Sequence, residues 1–144
     1  MIRAVVDTSV LIRYLIKPSA AIQELIEVRW LSDQVHMITS PELIQELEEV
    51  LARDYLQALI QPEEGQALLD AIRRVAEIFP PLGTFPAFTR DPKDDKFVAC
   101  ALAGDAGYVI TLDKDILAVR ALSGVRMVTP DEFLIELQKP DTSY

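Results

Sequence analysis

The stretch Ile2-Arg3-Ala4-Val5-Val6-Asp7-Thr8-Ser9 is a nearly continuous apolar run that ends in an acid and two hydroxyl residues. Apolar runs with β-branched residues are typical of a strand that is buried on both faces of a parallel sheet. Open parallel sheets bind their ligands just beyond the carboxyl ends of the strands. The stretch therefore predicts a buried strand that places Asp7 at the ligand-binding edge of a sheet.

The composition predicts one globular domain, for which we expect residues 1–138, followed by a tail at residues 139–144. The chain has 144 residues, of which 50% are hydrophobic and 26% are charged, enough to bury a core. No apolar run reaches the roughly 18 residues of a membrane span, and we expect no secretion signal. Cys100 is the only cysteine, which excludes an intrachain disulfide framework and fits a reducing cytoplasm.

The net charge of −9 limits the partners that the chain attracts. Proteins that hold nucleic acid by charge attraction are usually basic. Three explanations fit the acidic balance: nucleic acid is not the partner, metal ions neutralise a concentration of acids, or a basic protein covers the acidic surface. Composition alone leaves all three open.

Apolar segments alternate with helical ones along the chain. The predicted strands are residues 2–6, 35–39, 78–79, 108–111 and 125–128. Helix starts are indicated at Ser9, with Thr8 or Ser9 as its cap, and at Pro41, Pro62, Asp91 and Pro130. A brief helix is predicted from Asp113 to a point before Gly124. This alternation predicts right-handed β-α-β units, and so an α/β fold with a parallel sheet and helices on both faces.

Acidic residues recur at the carboxyl edge of that predicted sheet. They are Asp7 after the first strand, Asp94 and Asp95 at the helix start before the fourth strand, and Asp113 and Asp115 after the fourth strand. Glu46 lies in the second turn of the helix that begins at Pro41, from where it can point back to the same edge. We therefore expect these carboxylates to lie close together.

Converging carboxylates repel one another and resist ionisation unless a cation neutralises them. Mg²⁺ and Mn²⁺ prefer hard oxygen ligands, and such a site can orient and activate a water for attack on a phosphodiester. Each acid also has a simpler explanation: the aspartates are typical helix caps or first-turn acids, and Glu46 belongs to an acidic run that is typical of a solvated helix face. Their joint placement at one edge favours the metal site.

Four segments of the chain together resemble the signature segments of PIN domains, especially the bacterial and archaeal branch of toxin components of toxin–antitoxin pairs. They are residues 5–12 with Asp7-Thr8-Ser9, 40–47 with Glu46, 90–97 with Asp91-Pro92-Lys93-Asp94-Asp95, and 106–117 with Thr111-Leu112-Asp113. The order and spacing match over nearly the whole chain. Each segment alone is weakly specific, whereas the four together are a strong resemblance.

The resemblance implies a PIN-like three-layer α/β/α fold with strand order 3-2-1-4-5 and a ribonuclease that depends on Mg²⁺ or Mn²⁺. It implies an RNA substrate and a small antitoxin protein that often inserts a basic residue into the acidic site; a homodimer is a common state of the family. The implied catalytic and metal-binding acids are Asp7, Glu46, one of Asp94 and Asp95, and Asp113, with Asp115 close by and Ser9 and Thr111 in support. The Asp-Pro-x-Asp form favours Asp94 as the third acid, whereas the apolar helix start favours Asp95.

Three other functions remain open at this point. A phosphatase or phosphoacceptor would use Asp7 as a nucleophile, but Ser9 stands where haloacid-dehalogenase-like enzymes carry a second aspartate. A non-catalytic PIN-like module would bind a protein partner, although the chain retains all the family acids. A DNA nuclease would share the same acidic metal site, but the chain is short and has no evident helical arch.

Overall fold

The computed structural model describes residues 2–139. In this part of the chain the strands are Ile2–Val6 (β1), Val35–Thr39 (β2), Glu77–Ile78 (β3), Tyr108–Ile110 (β4), Ala121–Leu122 (β5) and Val125–Val128 (β6). The α-helices are Thr8–Ile16 (α1), Ala20–Glu24 (α2), Pro41–Leu51 (α3), Asp54–Gln57 (α4), Pro62–Val75 (α5), Asp95–Ala103 (α6), Lys114–Leu117 (α7) and Pro130–Gln138 (α8). A π-helical segment, Leu25–Trp30, continues α2, and a 3-10 turn, Pro92–Asp94, leads into α6. Apart from Lys139, the predicted tail lies outside the described residues.

The sheet has the order β3-β2-β1-β4-β6-β5. Every pairing is parallel except that of β5 with β6. The predicted α/β fold and the parallel order 3-2-1-4-5 are confirmed, with β6 as the fifth predicted strand. β1 lies between β2 and β4, so the residue that follows β1 lies in the middle of the carboxyl edge.

The edge strand β5 was not predicted from the sequence, which indicated one brief helix up to Gly124. The helix α7 ends at Leu117, and Ala121–Leu122 pairs antiparallel with β6 across a two-residue turn. Both turn residues have positive φ, 49° at Ser123 and 86° at Gly124, as a tight hairpin turn of the I′ type requires. A strand of two residues is too short to show an alternating pattern in the sequence.

Alternate residues of β1 enter two separate apolar layers. Ala4 and Val6 join a cluster that includes residues of α1, α2, α5 and α8. Val5 points the other way, into a cluster with residues of α6 and α7. Side chains alternate between the two faces of a strand, and both faces of β1 are therefore covered. This arrangement explains why the stretch is apolar without a period of two.

Other predicted boundaries shift by a few residues. α1 begins at Thr8 rather than at Ser9, and β3 lies at Glu77–Ile78 rather than at residues 78–79. The predicted helix start at Pro41 is confirmed, and the hydroxyl of Ser40 caps this helix by accepting a hydrogen bond from the Leu43 amide. Within residues 2–139, none of the helices combines the length and the hydropathy needed to cross a membrane.

Substitution of Gly104 by alanine tests the packing at the end of α6. A Cβ atom there would lie 2.5 Å from Ile38 Cγ2 and 3.0 Å from Phe79 Cε2. We expect Gly104→Ala to lower the free energy of unfolding by about 1–3 kcal/mol, because the buried neighbours must move. Chemical denaturation measures this loss. Gly107→Ala is the matched control, since a Cβ there meets nothing within 4 Å, and an equal loss in both variants would contradict the packing argument.

Candidate metal centre

Asp7 lies directly after β1 with only 4% of its surface exposed. Its Oδ2 accepts hydrogen bonds from Thr111 Oγ1 at 2.6 Å and from Ser9 Oγ at 2.8 Å. Burial raises the pKa of Asp7, while these hydroxyls pull it down and the charge of Glu46 raises it further. Within residues 2–139, the site thus holds Asp7 with neutral donors and without a basic partner.

The expected capping role of Thr8 or Ser9 at α1 is wrong. Asp7 occupies the cap position itself, but its side chain makes no capping hydrogen bond. The two hydroxyls are used elsewhere, because Ser9 donates to Asp7 and Thr8 donates to Glu46. Ser9 Oγ also accepts a hydrogen bond from the Leu112 amide at 3.2 Å, which ties α1 to the loop after β4.

Glu46 lies on α3, and its side chain reaches Thr8 in the first turn of α1. Its Oε2 accepts the short hydrogen bond from Thr8 Oγ1, and its Oε1 lies 2.6 Å from Lys96 Nζ. Both oxygens of Glu46 therefore have partners within the protein.

The loop after β4 brings Asp113 and Asp115 to the same edge. Asp113 Oδ1 caps α7 by accepting hydrogen bonds from the amides of Asp115 and Ile116 at 2.8 and 3.2 Å. The Asp113 amide in turn donates to Thr111 Oγ1 at 2.9 Å. Thr111 is fully buried, and its hydroxyl links the Asp7 carboxylate to the Asp113 amide.

Asp94 completes a cluster with Asp113 and Asp115. One carboxylate oxygen from each of the three residues lies within 4.8 Å of the other two. Asp94 Oδ2 is buried and has no hydrogen-bond partner among the described residues. Burial, followed by the charges of Asp113 and Asp7, raises the pKa of Asp94 to about 7. This carboxylate carries an unsatisfied oxygen among like charges.

Asp95, the other acid of the pair, has a different environment. Its side chain is turned to the loop before α6, where Oδ1 accepts hydrogen bonds from the Thr89 amide at 2.7 Å, the Thr89 hydroxyl at 2.8 Å and the Phe88 amide at 3.0 Å. Only 4% of Asp95 is exposed. The structure thus uses Asp95 to anchor a loop and places Asp94 in the acidic cluster.

The donor set fits a hard divalent cation. All the converging ligand atoms are carboxylate oxygens, which Mg²⁺ and Mn²⁺ prefer. An oxygen that is buried without a partner carries a desolvation penalty, and a bound cation would remove it at Asp94. A cation would also relieve the repulsion that raises the pKa of Asp94.

Two contacts of the site were not anticipated from the sequence: the hydroxyl of Thr8 on Glu46, and the ion pair of Lys96 with Glu46. Lys96 directly follows Asp94 and Asp95 in the sequence, so its proximity to the site could have been predicted. Nothing in the sequence indicates that it pairs with Glu46. Thr8 stands at the position of a helix cap, so the sequence did not indicate that its hydroxyl binds Glu46.

Other candidate residues lie away from this chemistry. Cys100 is buried in the core, where burial raises the pKa of its thiol to about 12 and so disfavours a nucleophilic thiolate. His36 pairs with Glu77 at 2.9 Å. Trp30 is a core residue with 2% exposure.

Comparison with known families shows which family this chain belongs to. A family model described as PIN domain matches residues 3–115, a span that contains β1 from Arg3 onward and all the acids of the site. The chain belongs to the PIN-domain family. PIN domains are generally nucleases, and the acidic cluster that this chemistry needs is present here. No curated protein matches the sequence at a significant level.

Three solved structures share the fold of this PIN domain at low sequence identity. VapBC2 from Rickettsia felis, bound to a DNA fragment from their promoter, has a TM-score of 0.56 at 14% identity, covering 88% of this chain and 97% of that one. The PIN domain of human SMG5 has a TM-score of 0.51 at 14% identity, with 94% and 99% covered. PAE2754 from Pyrobaculum aerophilum has a TM-score of 0.51 at 13% identity, with 94% and 89% covered.

The raised pKa of Asp94 predicts how stability depends on pH when divalent cations are absent. The folded pKa of about 7 lies above the ordinary aspartate value of 3.8, so between these values the native state holds a proton that the unfolded chain has lost. This residue therefore lowers the free energy of unfolding as the pH rises from about 4 to about 7. We expect Asp94→Asn to match the wild type near pH 4 and to exceed its stability at pH 8, as measured by urea denaturation in a chelator. Equal stability of both proteins at pH 8 would contradict this explanation.

Asp95 gives a contrasting prediction. Replacement by alanine leaves the donors of Phe88 and Thr89 without their acceptor, which costs about 1–3 kcal/mol. We expect Asp95→Ala to lose that much in denaturation experiments and yet to be stabilised by added Mn²⁺, whereas Asp94→Asn loses most of the Mn²⁺-dependent stabilisation. Asp95→Asn, which retains Oδ1, is the matched control. If Asp95→Ala alone abolished the Mn²⁺ effect while it remained folded, Asp95 would be the ligand.

Proposed function

We propose that this PIN domain is an endoribonuclease that hydrolyses RNA phosphodiester bonds with Mg²⁺ or Mn²⁺, and that it is the toxin of a toxin–antitoxin pair. The observation that carries the proposal is the convergence of Asp94, Asp113 and Asp115, together with the buried Asp94 Oδ2, which has no hydrogen-bond partner within residues 2–139. The membership of this chain in the PIN-domain family, whose members are generally nucleases, supports hydrolysis as the reaction.

The proposed ligands are Asp94, Asp113 and Asp115, with Asp7 and Glu46 beside them. Asp94 is preferred to Asp95 as the third acid because the carboxylate of Asp95 is occupied by the loop before α6. Asp7 belongs to the set because its charge acts on Asp94 and it has no basic partner in residues 2–139. A bound divalent cation would supply the positive charge that orients a water and stabilises the developing charge on the phosphate.

The side chains of this protein have distinct tasks in that reaction. Thr111 and Ser9 hold one oxygen of Asp7 through their hydroxyls, which fixes the direction of its other oxygen. Asp113 is oriented by its capping bonds to α7. Fixed carboxylates require little reorganisation when charge develops, so the hydroxyls and the α7 cap act as positioning groups for the acids.

RNA and an antitoxin are proposed as partners because of the resemblance to toxin ribonucleases. The structural likeness to VapBC2 supports the same grouping. The net charge of −9 suits a basic protein partner, since a basic side chain that enters the acidic cluster would offset its charge as a cation does. A homodimer is proposed on the resemblance alone.

The central test is the cleavage of a panel of RNAs by the wild type beside Asp7→Asn, with and without Mn²⁺. Asparagine keeps the shape of Asp7 and removes its charge, so we expect the fold to persist, as checked by circular dichroism. Because even residues that only orient metal ligands affect activity by about 10–100-fold, loss of Asp7 itself should lower cleavage by about 100-fold or more. Undiminished cleavage by metal-free protein would reject the proposal.

Matched substrates separate the remaining functions. Cleavage of single-stranded DNA but not of RNA would make the chain a DNA nuclease. Tight binding of a protein partner, together with failure to bind Mn²⁺, would make it a non-catalytic module. A phosphate group trapped covalently on Asp7 would indicate a phosphatase or phosphoacceptor instead.

A further inference from the structure

Lys96 is a cation that belongs to the acidic site itself. Its Nζ lies 2.6 Å from Glu46 Oε1, and each side chain is 21% exposed. Within residues 2–139 this is the one ion pair made by the acids of the site, which are Asp7, Glu46, Asp94, Asp113 and Asp115. The ammonium therefore pairs with one acid of the centre and is largely shielded from solvent.

The centre has two sides that differ in how their charge is balanced. On one side, Glu46 has an ammonium on Oε1 and the Thr8 hydroxyl on Oε2. On the other side, the cluster of Asp94, Asp113 and Asp115 has no basic partner in the described part of the chain. Asp7 interacts with both sides: the charge of Glu46 raises the pKa of Asp7, and the charge of Asp7 raises the pKa of Asp94. The cluster alone has carboxylate charge that still needs a cation.

Nucleases with two divalent cations hold them about 3.5–4 Å apart, where they stabilise the attacking and the leaving oxygens. We propose that Lys96 takes the place of the second cation, so that the site binds one divalent cation, at Asp94, Asp113 and Asp115. The Lys96 ammonium is then the second positive charge that faces the scissile phosphate. This inference rests on the proposed metal-dependent nuclease function.

The position and chemistry of Lys96 suit this task. An ammonium has three N–H donors, and Glu46 accepts from one of them, which leaves donors for a phosphate oxygen. The first turn of α6 is held in place by the bonds of Asp95 to the preceding loop. The ammonium also lies 5.7 Å from the centre of the Phe97 ring, within the range of a cation–π contact. An ion pair with a purely structural role would have no effect on the number of metal ions bound.

The test counts Mn²⁺ ions in the full chain by calorimetry and by electron paramagnetic resonance. We expect the wild type to bind about one Mn²⁺ with an uncoupled spectrum. Lys96→Met keeps much of the side-chain length but removes the charge, so it should bind about two ions whose spins are coupled, as neighbouring ions are. Lys96→Arg keeps the charge and should bind about one. Lys96→Gln repeats the test if the methionine variant does not fold.

The outcomes separate this inference from the function beneath it. A wild type that binds two coupled Mn²⁺ ions would overturn the role of Lys96 and leave the metal-dependent nuclease intact. A single ion in folded Lys96→Met or Lys96→Gln would also overturn it. A wild type that binds no Mn²⁺ would reject the metal centre, and this inference with it. One ion in the wild type and two in the neutral variant support it, and cleavage that needs more Mn²⁺ in that variant adds a second line of support.

Discussion

Carboxylates that share one sheet edge repel one another, and each needs a donor or a cation to offset its charge. The described residues meet this need in different ways. Asp7 receives two hydroxyls, Glu46 an ammonium and a hydroxyl, and Asp95 the amides and hydroxyl of a loop. Asp94 alone among them has a buried oxygen without a partner. The chemistry of the site starts from this one unsatisfied group.

The sheet determines where that repulsion occurs. β1 lies between β2 and β4 and is buried on both faces, so Asp7, which follows it, is almost fully buried. The loop after β4 delivers Thr111 and Asp113, and α3 delivers Glu46 from the other neighbouring strand. Parallel strands end at the same edge, and side chains distant in sequence therefore meet there without long loops.

Such a site lowers the stability of the protein that carries it. Burial is the main cause of the raised pKa of Asp94, and the neighbouring negative charges add to it. In the metal-free protein, the ionised carboxylate of Asp94 therefore destabilises the fold. Active sites commonly carry this kind of cost, because groups arranged for a ligand are not arranged for one another. The core on the two faces of the sheet supplies the stability that allows it.

The sequence by itself determined the α/β class and predicted acids at one edge, because the apolar runs, helix starts and chain order encode them locally, whereas the strand order around β1 came from the resemblance to PIN domains. It could not find β5, which is two residues long and defined by its partner. Nor could it separate Asp94 from Asp95, because adjacent residues on a helix start have equal claims by spacing. Only the tertiary structure decided that Asp95 binds the loop, that Lys96 binds Glu46, and that Thr8 supports an acid rather than a helix end. Those choices depend on which groups from distant segments arrive within hydrogen-bond distance, and local sequence carries no record of that.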